Sequence, residues 1–288
     1  MTTKKAALVL SLIVCVAISA TAQEKYKLEL KPVEGAKYSV VSDNNTLMDI
    51  STMGQKMQIT NTIGLQMELT YQKLDNGNLR QSSTVTKYDM GMIGMGQSMK
   101  VSSDDAQTNE QNKTLKAFVG KAVRCEITPE GKRVGSFDAT ELIDALESSS
   151  PGMGKAMGKA YSENMQITNF YFPEHEVAVG ESWECEMGMD VPANENITEV
   201  SIKQKVVCTL AEVQEQFYVV KAEGDITTDA NGVELKGKQQ STYYLDRATG
   251  MVDHAEISAN LHGQTSQMGA NADFNGTVKG TIKVEMKK

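Results

Sequence analysis

Long stretches of strict apolar/polar alternation constrain this chain more than any other feature. From Ile59 through Ile63, Leu65, Met67, Leu69 and Tyr71 the apolar residues hold odd positions, with Thr60, Thr62, Gln66, Glu68 and Thr70 between them. Val200, Ile202, Val206, Cys208 and Leu210 repeat the pattern on even positions, as do Val278, Ile282, Val284 and Met286. Successive strand residues point to opposite sides of a sheet, so each run predicts one buried face and one wet face. The pattern suits antiparallel sheet; strands of a parallel α/β core are buried on both faces and read as unbroken apolar runs. Between the runs, Asp75-Asn76-Gly77-Asn78, Pro129-Glu130-Gly131, Asp229-Ala230-Asn231-Gly232 and Asp273-Phe274-Asn275-Gly276 predict hairpin turns.

Helix signals are confined to the middle. Asp138-Ala139-Thr140-Glu141 is a capping-box-like start, after which Leu142, Ile143 and Leu146 share one face. Ser150-Pro151 opens a second candidate helix reaching residue 162, with Pro at its first position. Gly152, Gly154 and Gly158 each weaken it by about 1 kcal/mol relative to Ala. The two halves of the chain look alike. Gly35-Ala36-Lys37-Tyr38 resembles Gly180-Glu181-Ser182-Trp183, and the strand–turn–strand unit Cys125 to Gly131 resembles Tyr244 to Gly250. The expected fold is mainly β: curved antiparallel sheets in two related half-barrel- or sandwich-like halves, with one or two inserted helices near 138–162. The halves would be residues 23–137 and 166–288, flanking a helical insertion at 138–165, and the first would hold extra length around residues 89–112. A single large curved sheet is the alternative.

Residues 1–22 have the three parts of a cleavable secretory signal. Lys4 and Lys5 precede an apolar run from Ala6 to Ile18, and Ala20-Thr21-Ala22 places cleavage between Ala22 and Gln23. The apolar run is shorter than the about 20 residues a membrane-crossing helix needs. Cys15 follows Val14 in mid-run, where an acylation motif would carry a small residue, so it reads as filler. No later segment approaches membrane-span length, and the expected location is periplasmic or extracellular.

Net charge is −8 and becomes more negative once Lys4 and Lys5 leave with the signal. An acidic chain without a basic cluster is a poor nucleic-acid binder, because phosphate contacts draw on concentrated Lys and Arg. Cys125, Cys185 and Cys208 remain after cleavage. An odd count leaves at least one free thiol, and Cys185 with Cys208, on neighbouring strands, is the candidate disulfide. The only histidines are His175, His254 and His262. The last two share a strand but stand eight residues apart, about 26 Å, too far to hold one metal. Nucleophile elbow, phosphate-binding loop and paired-histidine zinc motif are all missing. The expectation is a protein that is not an enzyme and has no cofactor.

Seventeen methionines are the compositional anomaly, densest in Met90-Gly91-Met92-Ile93-Gly94-Met95-Gly96-Gln97-Ser98-Met99. Thioethers suit Cu(I), which makes copper an outsider. Unbranched Met also fills irregular apolar space and builds adaptable greasy surfaces. Met90, Met92, Met95 and Met99 are therefore the candidate ligand-binding residues, forming the lip of a groove for a lipid, an acyl chain or an apolar peptide. The alternative is a structural or protein-interaction component of the cell envelope.

The Gly35 to Tyr38 opening, Phe172-Pro173 with Val179-Gly180-Glu181-Ser182-Trp183, and Asp246 with Thr249-Gly250 resemble an uncharacterised family of secreted proteins, a domain of unknown function common in Bacteroidota. The resemblance implies a bacterial envelope location and brings no assigned activity or catalytic residues.

Overall fold

The alternating runs become unusually long strands. The computed structural model describes residues 23–52, 55–94, 96–106, 108–149, 171–191, 200–230, 233–267 and 270–287. In chain order its elements are β1 (Lys25–Tyr26), β2 (Lys37–Thr52), β3 (Gln55–Lys73), β4 (Leu79–Gly94), β5 (Gln97–Ser102), α1 (Glu110–Phe118), β6 (Ala122–Ile127), β7 (Arg133–Asp138) and α2 (Thr140–Ser149). There follow β8 (Val177–Ala178), β9 (Ser182–Val191), β10 (Val200–Val213), β11 (Phe217–Ala230), β12 (Val233–Asp246), β13 (Val252–Gln267) and β14 (Ala270–Lys287). The signal segment, Met95 and the candidate helix after Ser150 lie outside the described residues.

Twelve strands form one open antiparallel sheet in the order β7-β6-β4-β3-β2-β14-β13-β12-β11-β10-β9, and β5 joins it beside β4. β1 and β8 make a separate two-stranded sheet. The mainly β, antiparallel expectation holds. β2 pairs with β14 from Lys37 opposite Lys287 to Thr52 opposite Ala272, which joins the two sequence halves into a continuous surface.

Residues directly opposite each other on paired strands share a face. The inner face is the one that carries the core. At the basal end of the strands Val40, Met67, Leu69, Leu210, Val220 and Leu245 are each no more than 1 % exposed. They are packed with Leu28, Leu115, Phe118, Leu142 and Leu146 from the N-terminal segment and the two helices. Helix α2 matches its sequence signal: Asp138 accepts from the Thr140 backbone N–H, and Leu142 and Leu146 are fully buried. Helix α1 was not expected. Its start is fixed by a reciprocal pair in which the Asn112 N–H donates to Asn109 Oδ1 and the Asn109 N–H donates to Asn112 Oδ1, both at 2.9 Å. Asparagine in both places hides a capping box that is recognised by Ser or Thr and Glu.

Two expected turns fall between strands, at 75–78 and 129–131; of the third, Asp229 and Ala230 end β11, and Asn231 and Gly232 lie outside the described residues. Asp273-Phe274-Asn275-Gly276 does not turn; it lies inside β14. Phe274 sits opposite Ile50, and Gly276 opposite both Met48 and Leu261. Two long flanking strands supply every ladder partner there, and that tertiary pairing overrides local turn preference.

A strap closes the basal end. The Leu30 and Lys31 N–H groups donate to Pro129 O and Thr249 O, both at 2.7 Å, so one segment ties down the β6–β7 and β12–β13 turns. At Gly250, with φ +66°, a Cβ would run into the Glu29 carbonyl, so only glycine suits that crossing. Farther along the inner face a Cβ on Gly224 would meet the Lys205 carbonyl at 2.6 Å and Val206 Cγ2 at 2.9 Å, so β10 lies close over the bare backbone there.

Candidate functional site

Beyond the packed base, the inner face continues as a broad distal surface. The registers draw its rows. Met99, Met92, Asn61, Thr46, Val278, Ala259 and Gln239 run side by side across β5, β4, β3, β2, β14, β13 and β12. The next row toward the tips is Ile59, Met48, Gly276, Leu261, Gly237 and Ile226. Met57, Ile50 and Phe274 begin another. Most of these side chains are half-buried, and away from the β5 edge no described helix packs over them. The helices pack instead on β5, β6 and each other.

Charge is partitioned between the two faces. On β2 from Asn44, β3 up to Leu65, β4 from Tyr88, β5, and the distal parts of β10–β14, no inward-facing residue among the described side chains is charged. The outer face carries Asp43, Asp49, Lys56, Lys87, Asp89, Lys100, Lys221, Glu223, Lys238, Glu256 and Lys279 at the alternate positions. Inner polar groups are neutral and bond one another. Gln204 Nε2 donates to Gln239 Oε1 at 2.8 Å, Gln239 Nε2 to Ser241 Oγ at 3.0 Å, and Asn44 Nδ2 to Ser42 Oγ at 3.2 Å.

The outer charges are largely paired or solvated. Lys87 reaches Asp104 at 3.0 Å and Asp89 at 3.4 Å, and the hydrogen bond to Asp104 raises its pKa. Two clefts of about 540 and 660 Å³ cross this outer face and share Lys279, Gly280 and Thr281. Their linings mix both signs of charge.

Of the sequence candidates, Met92 and Met99 lie directly opposite each other across β4 and β5, and Met90 is opposite Val101 and Ile63. All three also border a cleft of about 270 Å³ at the tip of β3, β4 and β5, but the rest of its lining, including Thr60, Thr62, Ile93, Asp89 and Lys100, stands at outer-face positions, so this cleft is not part of the uncharged surface. Met95 lies outside the described residues. Sequence reasoning missed the larger part of the surface, from Met48, Ile59, Leu261 and Phe274. Their alternation is visible, but which strands share a surface depends on the pairing of β2 with β14.

The other candidate groups lie elsewhere. His254 stacks on Tyr244 at 4.1 Å and contacts Asp253 at 2.7 Å; His175 and His262 are exposed. Among the described residues no three metal-capable His, Cys, Asp or Glu side chains gather. Cys185 and Cys208 stand diagonally on β9 and β10 as buried thiols with sulfurs 3.7 Å apart. The Cys208 thiol donates to Cys185, which lowers the pKa of Cys185 and raises that of Cys208.

Residues 76–252, more than half of the chain, match the model of a family of unknown function, DUF6263. The chain belongs to this family. The matched span of the DUF6263 family runs from the β3–β4 turn to the start of β13, so it takes in both helices and the Met90–Met99 segment. No curated protein matches the sequence. Among solved structures, lipovitellin, described by its lipid–protein interactions, is similar at a TM-score of 0.52 and 8 % identity. The likeness covers 88 % of this chain and 25 % of the lipovitellin chain, and at that identity it shows a shared fold alone. An outer membrane channel from Pseudomonas putida F1 aligns with 91 % of this chain and 99 % of its own, at 8 % identity and a TM-score of 0.36. No described helix of this DUF6263 member is long and apolar enough to cross a membrane.

Proposed function

We propose that this protein is an exported, non-catalytic binder that holds the acyl portion of a lipid against its distal inner face. The observation that carries the proposal is the uncharged inner surface, which continues past the packed base with no described helix packed over it away from the β5 edge. Monomeric proteins rarely leave an apolar patch larger than a few hundred Å² without a use for it. Covering about 400 Å² of such a face returns roughly 10 kcal/mol at ~25 cal/mol/Å². That lies within the ~4–15 kcal/mol that association costs, so a ligand must cover much of the face to bind. Methionine suits the task, because its flexible thioether adapts to chains of varied shape. The lipovitellin-like fold is compatible with the proposal, and residues 1–22 support export.

Native mass spectrometry of the purified protein tests it, with co-purifying lipid as the expected result. Ile59→Glu and Leu261→Glu each put a charge on the inner face and should weaken binding of a fluorescent acyl probe at least about tenfold. Asn260→Glu, one position from Leu261 on the exposed outer face opposite Lys238, should leave binding unchanged. Lipid-free protein that ignores the probe would overturn the proposal.

A further inference from the structure

We infer, building on that lipid-binding function, that the site takes more than one acyl chain and makes no ionic contact with the headgroup, so occupancy is independent of headgroup charge. Two features on the inner face lead there. The first is chemical. A carboxylate or phosphate drawn into this surface would find no Lys, Arg or His among its described side chains. Burying an anion without a counter-charge is costly. The neutral donors there carry no charge to offset it, and some are already spent within the face. Gln239 is engaged on both ends of its amide, with Gln204 and Ser241, and the Asn44 amide N–H is turned to Ser42. Any charged headgroup must therefore stay in solvent at the rim while its chains lie inside.

The second feature is size. Nine strands, from β5 across to β10, present this face. At about 4.8 Å between strands they span roughly 40 Å, and the eight residue steps from Met57 to Leu65 extend about 26 Å along a strand. That surface is several times the footprint of one extended alkyl chain. A single chain would leave most of Met48, Ile59, Leu261, Phe274 and Val278 in water. Several chains side by side would cover them.

Delipidated full-length protein provides the test, with three lipids of identical acyl chains: uncharged diacylglycerol, zwitterionic phosphatidylcholine and anionic phosphatidylglycerol. A single-chain lysophosphatidylcholine is the fourth probe. Expected affinities for the three diacyl lipids lie within about threefold of one another and do not change between about 0.05 and 0.5 M salt, a range that screens surface ion pairs. The lysolipid should bind at least about tenfold more weakly, or at twice the stoichiometry. A tenfold preference for one headgroup charge, or loss of binding at high salt, would overturn this inference and leave the lipid-binding function standing. Equal affinity and stoichiometry for the lysolipid would refute the multi-chain part. Failure of all four lipids to bind would remove the lipid-binding function itself, and this inference with it.

Discussion

Methionine plays two parts in this molecule, and the difference is set by position along the strand. Met67 and Met251 fill the basal core at 1 % and 4 % exposure, while Met92 at 43 % stands on the distal inner face and Met286 at 52 % lies at the end of β14. Oxidation of a thioether needs access, and the product is polar. Under mild peroxide, Met92 and Met286 should become sulfoxides well before Met67 and Met251, as read by peptide mass spectrometry. Bound lipid should slow oxidation of Met92 several-fold and leave Met286 unchanged. Equal protection of both would mean that ligand does not sit where the inner face is open. The sequence alone singled out Met90, Met92, Met95 and Met99 by density. It could not separate them from Met67, because inward-pointing residues look the same over a packed core and over open space.

The strap at the base is the element most sensitive to conditions. β1 and β8, with the segments beside them, bury Leu28, Phe172 and Val177 in the basal core, and hydrogen bonds and surface charge add to that hold. Lys132 sits 2.6 Å from Glu174 and, by hydrogen bond and charge, holds that carboxyl below its ordinary value of 4.5. Glu181 is lowered by the Ala178 backbone N–H, with a smaller contribution from Lys25. A carboxyl whose folded pKa is depressed contributes its full stabilisation above the unfolded value and loses it as pH falls through the folded one. Both groups are exposed, so the effect is modest and local. Amide-exchange protection at residues 25–31 and 172–181, corrected for the intrinsic pH dependence of exchange, should therefore fall as pH drops below about 4.5, before protection in β2, β3 or β14 changes. Glu174→Gln removes that titration, so protection there should already be lower at neutral pH and should change less as pH falls. A sheet and strap that loosen together would contradict it. Strands, their parity and α2 were legible because alternation and capping are local signals. Helix α1 and the strand at Asp273–Gly276 were not, since one begins with an unusual pair of asparagines and the other is decided by its neighbours.

At the scale of the whole molecule, the sheet depends on its most distant pairing in sequence. β2 and β14 lie side by side along their full length, with Val40 and Val284 directly opposite each other in the core. Such long-range contacts must repay a large loop-closure entropy, so folding should be slow, on a timescale of milliseconds to seconds or longer. Val284→Ala is expected to slow refolding several-fold. Leu142→Ala in α2, although it costs about 2–5 kcal/mol, should act mainly on the unfolding rate. Stopped-flow folding of the two variants distinguishes these outcomes, and a refolding rate unaffected by Val284→Ala would place the joining of the halves after the barrier. The same pairing bears on how the chain is delivered. A polypeptide that emerges N-terminus first exposes the bare hydrogen-bonding edge of β2 until its final strand arrives. A matching strand from a second molecule could occupy that edge in the interval. Under the export proposed above, the chain has to stay unfolded until β14 is through, and a peptide copying β14 would act as a decoy that seals a shortened chain.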